Sequence, residues 1–315
     1  MNFELILAMP IKIPESLPAF SELEKENIFV MDEMRAFTQD IRPLSIAILN
    51  LMPTKSQTEI QLMRLLSNSP LQIDITLVRP SEHVCKHTPI EYLEKFYRKF
   101  DEIKDLCFDG LIITGAPLES LEYEDVDYWD ELTRIFDWTE THVFSTMFIC
   151  WAALAALYHN YGTNKILLPE KRSGIYEYRN LQPNDPLMRG IDHKFRMPQS
   201  RHATVSLEEW SKISDIRVAA VTSDGDVGLA ISDNGNVFIT GHLEYDGDTL
   251  DCEYNRDLGK GMDPHKPLNY YDDDGAPELT WRSYATLIFT NWINYYVYQR
   301  TPYDIGEVKR IKCKR

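Results

Sequence analysis

No apolar run in this chain of 315 residues approaches the length of a membrane span. The short apolar stretch at residues 3–8 has no basic segment before it, which argues against a secretory signal. Cysteine is also scarce: the five present are scattered and form no C-x-x-C pair. We therefore expect a cytoplasmic protein without membrane contact, without a disulfide framework and without a zinc site.

Basic residues and phosphate-binding motifs are scarce as well. The chain has 33 Lys and Arg against 49 Asp and Glu, a net charge of −16, so we expect no nucleic-acid partner. The motifs G-x-x-x-x-G-K-[ST] and G-x-G-x-x-G are missing, which argues against a P-loop enzyme and a dinucleotide-dependent dehydrogenase. Since His, Cys and carboxylates show no metal-ligand spacing either, we expect no metal and no tightly bound cofactor.

The first half of the chain alternates between strand-like and helix-like segments. Apolar or alternating runs predict strands at residues 44–51, 71–78, 109–114 and 143–149. Between and after them, helices are predicted from the capping-box spacing at 56–59, from Thr88-Pro89, at 125–141 and after residue 150. This alternation predicts an α/β fold, a doubly wound and mostly parallel sheet flanked by helices.

The remaining segments are predicted from composition and turn signals. Residues 10–40 and 162–210 are expected to be irregular, with short strands at 217–221, 227–231 and 237–240, and a helix at 250–261. A helix at 277–298 carries an aromatic stripe that is more typical of a core or subunit interface than of a cofactor site. We expect one domain over 9–304, preceded by a non-native or mis-assigned leader at 1–8 and followed by a basic tail at 305–315.

The stretch VFSTMFICWA, residues 143–152, places one cysteine where a predicted strand meets a predicted helix. A sharp turn there would hold the Cys150 thiol above the sheet, facing the first amides of the helix, which favour a thiolate. Cysteine is also commonly buried as a small apolar residue. The sequence alone therefore leaves Cys150 open as a nucleophile or a core residue.

Two further signals fall at predicted strand ends, where such sheets bind ligands. In TGHLEY, His242 and Glu244 could share one face, with the imidazole acting as a base and the carboxylate fixing its tautomer. His242 could equally be an ordinary exposed or core histidine. The turn Gly115-Ala116-Pro117 would let the backbone approach a ligand closely, or it could be a plain turn between a strand and a helix.

Long segments of the chain resemble the homoserine O-acyltransferase family of methionine biosynthesis, in its branch related to class I glutamine amidotransferases. The resemblance runs from about Pro10 to Asp304 and rests on IRPLSIAILNLMP, LLSNSPLQIDI, FDGLIITGAP, FICWAALAAL, EKRSGIYE, TGHLEYD and TLIFTNWINYYVYQRTPYD. It implies a flavodoxin-like, amidotransferase-like fold, a homodimer, and L-homoserine and an acyl-CoA as substrates.

The resemblance also implies roles for individual residues. It implies that Cys150 carries the acyl group in a ping-pong transfer, with His242 as base and Glu244 orienting it. The backbone amide of Trp151 would contribute to the oxyanion hole. The family's substrate positions correspond to three residues with polar or charged side chains, Lys171, Ser200 and Arg256.

Acyl choice and reaction class depend on a few positions. In this family, glycine after T-G-A-P-x accompanies succinyl-CoA and glutamate accompanies acetyl-CoA, and here the residue is Glu119. Its carboxylate would repel the succinyl carboxylate, which predicts acetyl transfer.

The alternatives are a succinyltransferase, an amidotransferase-like hydrolase with the same triad, and a non-catalytic α/β protein. Phe148 and Ala152 replace glycines of the amidotransferases and weaken the hydrolase interpretation.

Overall fold

One sheet runs through the part of the chain that the computed structural model describes, residues 11–26, 30–31, 42–81, 83 and 88–309. The predicted leader at 1–8 and residues 310–315 of the predicted tail lie outside these ranges. The strands are β1 (Ile11–Lys12), β2 (Val30–Met31), β3 (Leu44–Leu49), β4 (Ile73–Arg79), β5 (Tyr97–Lys99), β6 (Phe108–Ile113), β7 (Val143–Ile149), β8 (Ile166–Asn180), β9 (Lys194–Thr204), β10 (Ile216–Val221), β11 (Val227–Ser232) and β12 (Val237–Ile239).

Helices cover both faces of this sheet. They are α1 (Pro18–Lys25), α2 (Lys55–Leu66), α3 (Ile90–Phe96), α4 (Phe100–Ile103), α5 (Trp129–His142), α6 (Trp151–Tyr161), α7 (Leu207–Ser211), α8 (Thr249–Gly259) and α9 (Arg282–Asn291), which continues as a π-helix at Trp292–Tyr298. Along β3, Ile46 and Ile48 belong to one buried cluster and Ala47 and Leu49 to another. Since alternate strand residues face opposite sides, the two clusters are the two cores of a three-layer fold. No helix in the described ranges is long and apolar enough to cross a membrane.

The strand order confirms the predicted doubly wound α/β sheet. The order is β2-β1-β4-β3-β6-β7-β12-β11-β10-β8-β9, and β5 pairs with β4. Pairs from β2 through β7 to β12 are parallel, whereas β12, β11, β10, β8 and β9 pair antiparallel. The carboxyl ends of β6, β7 and β12 therefore meet at one edge of the sheet, where ligands bind in folds of this class.

Parts of two segments predicted to be irregular form helices or strands, and residues 27–29 and 32–40 lie outside the described ranges. Within 10–40, Pro18 opens α1, and its buried Ala19, Phe20 and Leu23 follow helical spacing. Within 162–210, β8 and β9 form a long antiparallel hairpin. The first half of β8 is largely exposed on both faces. It therefore lacks the alternation of apolar residues by which a strand is recognised in sequence.

Some predicted helix boundaries were wrong. Helix α2 begins at Lys55 with Thr54 at its N-cap, so the predicted capping box at 56–59 does not form. The Lys55 ammonium instead donates to the carbonyl of Asn50 at 2.6 Å, which ties the start of α2 to the end of β3. Helix α5 begins at Trp129 rather than at 125. The predicted helix at 277–298 begins at Arg282 and widens into a π-helix at Trp292.

Three side chains of the predicted aromatic stripe pack inside the chain. Trp281, Ile288 and Trp292 are fully buried, and the Trp292 indole donates to the Ser145 hydroxyl at 2.8 Å. These three side chains therefore belong to the core rather than to a subunit interface, and the homodimer stays a prediction. Val308 is also buried, so the first residues of the predicted tail pack against the domain.

Gly174 offers a test of how the hairpin fixes the segment after α8. Its φ is +134°, and an added Cβ would lie 2.3 Å from the backbone nitrogen of Leu268. We expect Gly174→Ala to lower the free energy of unfolding by about 3 kcal/mol, measured by urea denaturation. Gly259→Ala is the control, because a Cβ at this helical position has no atom within 4 Å. It should be neutral or stabilising by about 0.5 kcal/mol. Equal effects of the two substitutions would contradict this account.

Candidate active site

Cys150 lies on the sharp turn between β7 and α6. Its φ is 52° and its ψ is −118°, a conformation that is strained for a residue with a side chain. The Cys150 amide donates to the carbonyl of Ile239 on β12 at 2.7 Å, which holds the turn against the neighbouring strand. The thiol side chain is 3% exposed and lines a cleft. Strain of this kind at a cleft is typical of a nucleophile and is not needed for packing alone.

His242 and Glu244 follow β12, the parallel neighbour of β7. Since Ile239 pairs with Ile149, the residues after both strands emerge at the same edge. The His242 Nδ1 lies 2.7 Å from Glu244 Oε1, and both side chains are buried. This contact leaves Nε2 for the sulfur of Cys150, which lies within hydrogen-bonding reach of the imidazole. The structure therefore brings the predicted Cys150, His242 and Glu244 together in the order sulfur, imidazole, carboxylate.

Negative charge on both sides of the imidazole controls its protonation. Complete burial by itself disfavours the charged ring. The charges of the Cys150 sulfur and the Glu244 carboxylate outweigh that effect and raise the pKa of His242 well above its usual value. A protonated imidazole beside the sulfur is the state reached when the thiol proton has moved to the ring.

Gly115 completes the third side of the site at the end of β6. A Cβ at this residue would lie 3.1 Å from the Cβ of Cys150 and 3.6 Å from His242 Cε1. Within the described ranges, the amides of Gly115 and Ala116 have no hydrogen-bond acceptor. The turn therefore offers backbone donors near Cys150, in addition to the predicted donor, the amide of Trp151 at the start of α6.

The cleft above the sulfur has a volume of about 440 Å³. It is lined by Cys150 and His242 and by all the predicted substrate and specificity residues, Lys171, Ser200, Arg256 and Glu119. Glu244 and Trp151 lie behind this lining. Among the described residues, no group of His, Cys, Asp and Glu side chains is arranged to hold a metal ion.

Glu253 of α8 connects two of the predicted substrate residues. Its Oε2 accepts from Lys171 Nζ at 3.0 Å and from the Ser200 hydroxyl, and its Oε1 accepts from the Tyr245 hydroxyl at 2.9 Å. Burial raises the pKa of Glu253, but Lys171, Ser200 and the His242 charge outweigh it, and the pKa is lowered overall. The carboxylate is therefore charged beside the cleft.

Arg256 lies one turn further along α8 and is half exposed. Its Nε and Nη2 contact Asp257 Oδ1 at 2.9 and 2.8 Å, and Asp257 also lies 3.4 Å from Lys171. Burial raises the pKa of Asp257, while Arg256 and Lys171 lower it overall. The two cations predicted to bind a substrate carboxylate are thus each paired with an acid of the same helix.

Glu253 and Tyr245 were not among the site residues predicted from the sequence. Glu253 and Asp257 are four residues apart in a predicted helix, a spacing that places both acids on one face. This spacing alone could have marked that face of the helix as a candidate binding surface. Tyr245 directly follows Glu244, and its ring stacks on His242 with centroids 4.2 Å apart. No periodic signal marks such a contact, because it depends on the turn after β12.

The fold defines the structural class of the protein. Two solved structures of similar fold are glutamine amidotransferases, one from Thermotoga maritima and one from Methylobacillus flagellatus. The first is 11% identical, with a TM-score of 0.53 over 81% of this chain and 98% of that chain. The second is 10% identical, with a TM-score of 0.50 over 81% and 95%. These likenesses place the chain among class I glutamine amidotransferase-like α/β folds.

Sequence relatives identify the family within that class. The family model for homoserine O-succinyltransferase matches residues 10–303, so the chain belongs to this acyltransferase family. A homoserine O-acetyltransferase of Methanomethylophilus alvi is 54% identical over 95% of this chain and 98% of its own length. Relatives of the same name from Acetivibrio thermocellus and Bacillus licheniformis are each 53% identical, over 96% and 94% of this chain and 100% and 99% of their own lengths.

The His242 environment predicts how Cys150 reacts with an alkylating agent. Glu244→Gln removes one of the charges that raise the pKa of His242, so the imidazolium loses its proton at a lower pH. The imidazolium that pairs with the sulfur is then less populated at pH 7. We expect alkylation of Cys150 by iodoacetamide to slow roughly tenfold, because the thiolate is the reactive form of cysteine and the imidazolium stabilises it.

Peptide mass spectrometry after timed alkylation measures this rate. Cys252 is an internal control, because its pKa is raised by its own burial and by Asp248 and Asp251, not by Glu244. Its alkylation rate should not change. An unchanged rate at Cys150 in Glu244→Gln would show that the carboxylate does not control the sulfur.

Proposed function

We propose that the protein transfers the acetyl group of acetyl-CoA to the hydroxyl of L-homoserine through an acyl-enzyme on Cys150. The observation that carries this proposal is the Cys150–His242–Glu244 arrangement at the cleft of a chain in this acyltransferase family. The product would be O-acetyl-L-homoserine, an intermediate for methionine biosynthesis.

In the first half-reaction the Cys150 thiolate attacks the thioester carbonyl of acetyl-CoA. The oxyanion is held by the amide of Trp151 and by a donor in the turn at Gly115 and Ala116. Each such donor is worth roughly 3 kcal/mol of transition-state stabilisation. When the tetrahedral intermediate collapses, the C–S bond to CoA breaks and His242 gives its proton to the departing thiolate. One thioester replaces another, so the step is nearly balanced in energy.

In the second half-reaction homoserine occupies the same cleft. His242 Nε2 takes the proton of the substrate hydroxyl as its oxygen attacks the Cys150 thioester. Collapse of the second intermediate forms the ester and releases the Cys150 thiolate, so no net proton is needed. Glu244 keeps Nδ1 protonated, which leaves Nε2 as the working nitrogen in both halves.

Homoserine carries a carboxylate and an ammonium group, and the cleft supplies both signs of charge. Lys171 and the free edge of Arg256 would bind the carboxylate. Glu253 would accept the ammonium, a role for which the sequence analysis had no candidate. Both cations and the acid already occupy this part of the cleft, and Ser200 orients Glu253.

Glu119 supports acetyl as the acyl group. Its side chain is 8% exposed and lines the cleft, where a carboxylate would repel the second carboxylate of a succinyl group. The relatives named above as acetyltransferases favour the same choice, whereas the family model carries the name of the succinyltransferase. Succinyl transfer is therefore the second candidate.

Incubation with acetyl-CoA followed by intact mass spectrometry tests the reaction class. We expect one acetyl group to be added to the protein, to be absent in Cys150→Ala, and to be lost on adding L-homoserine. Ammonia release from glutamine without any dependence on homoserine would instead indicate a hydrolase. Absence of any covalent acetyl group would contradict a ping-pong reaction through Cys150.

A comparison of kcat/KM for acetyl-CoA and succinyl-CoA tests the acyl choice. The unsubstituted protein should prefer acetyl-CoA, and Glu119→Gly should raise kcat/KM for succinyl-CoA by about tenfold, or 1.4 kcal/mol. Glu122→Gly is the matched control, since this exposed acid of the same segment lies outside the cleft lining. A preference of the unsubstituted protein for succinyl-CoA would overturn the acetyl assignment.

A further inference from the structure

Tyr245 contacts two parts of the site that the proposed reaction uses at different times. Its ring stacks on His242 with centroids 4.2 Å apart and planes at 18°. Its hydroxyl donates to Glu253 at 2.9 Å. The side chain is buried yet lines the cleft. One residue therefore joins the proposed base to the proposed ammonium acceptor.

The backbone of Tyr245 is held in place independently of these contacts. Its carbonyl accepts from the Trp281 indole at 3.2 Å, and its amide donates to the carbonyl of His242 at 3.3 Å. With the backbone fixed, the ring position depends on two side-chain torsions. The hydroxyl bond to Glu253 therefore links the far end of the ring to that carboxylate, so a shift of Glu253 moves the ring and, through the stacking, the imidazole.

Glu253 is the point at which a substrate could change this arrangement. In the structure, its two oxygens accept from Lys171, Ser200 and Tyr245. An ammonium group that binds Glu253 must join or replace one of these donors. The imidazolium of His242 is also among the charges that lower the pKa of Glu253, so the two groups interact electrostatically as well as through the ring.

We propose that Tyr245 is a positioning residue that couples ammonium binding at Glu253 to the orientation of His242. This inference rests on the proposed function, because it takes an amino acid such as homoserine as the acceptor. The hydroxyl then matters mainly in the second half-reaction, when the ammonium is present. The stacked ring matters in both halves, because it orients the base in each.

Single-turnover kinetics of Tyr245→Phe and Tyr245→Leu separate these two roles. Acetyl-enzyme formation, transfer to homoserine, and transfer to hydroxylamine, which has neither carboxylate nor α-ammonium, are each followed by intact mass after rapid quenching. For Tyr245→Phe we expect acetylation and transfer to hydroxylamine within twofold of the unsubstituted protein, and transfer to homoserine slowed roughly tenfold. Tyr245→Leu should slow all three steps.

Glu253→Gln provides a second route to the same selectivity, because it removes the charge of the proposed ammonium acceptor and leaves the Tyr245 side chain itself unchanged. It should slow transfer to homoserine far more than transfer to hydroxylamine. Equal slowing with both acceptors in Tyr245→Phe, or no slowing with homoserine, would overturn the coupling and leave Tyr245 a packing residue. If the unsubstituted protein formed no acetyl-enzyme, the proposed function would fail and this inference with it.

Discussion

The parallel pairing of β7 with β12 is the constraint on which the candidate site depends. It aligns Ile149 with Ile239, and the Cys150 amide then bonds to Ile239 across the two strand ends. Because parallel strands end at the same edge, a cysteine after one and a histidine three residues after the other must lie near each other. Cys150 adopts an unfavourable φ while β7 and β12 keep this register, and the surrounding sheet stabilises the strained conformation.

Burying ionised groups is costly, with a penalty of several kcal/mol per ion. The site offsets this penalty by alternating charges in the order sulfur, imidazole, carboxylate. Glu244 Oε2 has no hydrogen-bond partner in the described part of the chain, so His242 is the main partner of this carboxylate. Because no other donor competes for it, the Glu244 carboxylate directs its charge at the imidazolium of His242. This arrangement suits a residue that acts through its charge rather than by holding the structure together.

Patterns within short segments predicted the sheet and the position of Cys150 on the turn after β7, and contacts between distant segments account for what was missed. The bounds of β7 match the predicted 143–149, because a strand buried on both faces reads as continuous apolar sequence. The hairpin of β8 and β9 escaped prediction, because its exposed half has no apolar alternation. Lys171, Ser200 and Arg256 were found only through the family resemblance, and Glu253 was missed because its partners lie on β8, β9 and the turn after β12.

The paired charges of the cleft favour a zwitterionic acceptor. Lys171 and Arg256 are neutralised by Glu253 and Asp257 before any substrate binds, so the cleft carries both signs without a large excess of either. A zwitterion such as homoserine can exchange these partners one for one, and no charge is left buried and unpaired. A second carboxylate, on the acyl group, would find no such ion-pair partner to exchange with and would lie near the acid Glu119. In the proposed reaction, the same electrostatic rule therefore selects both the acceptor and the acyl group.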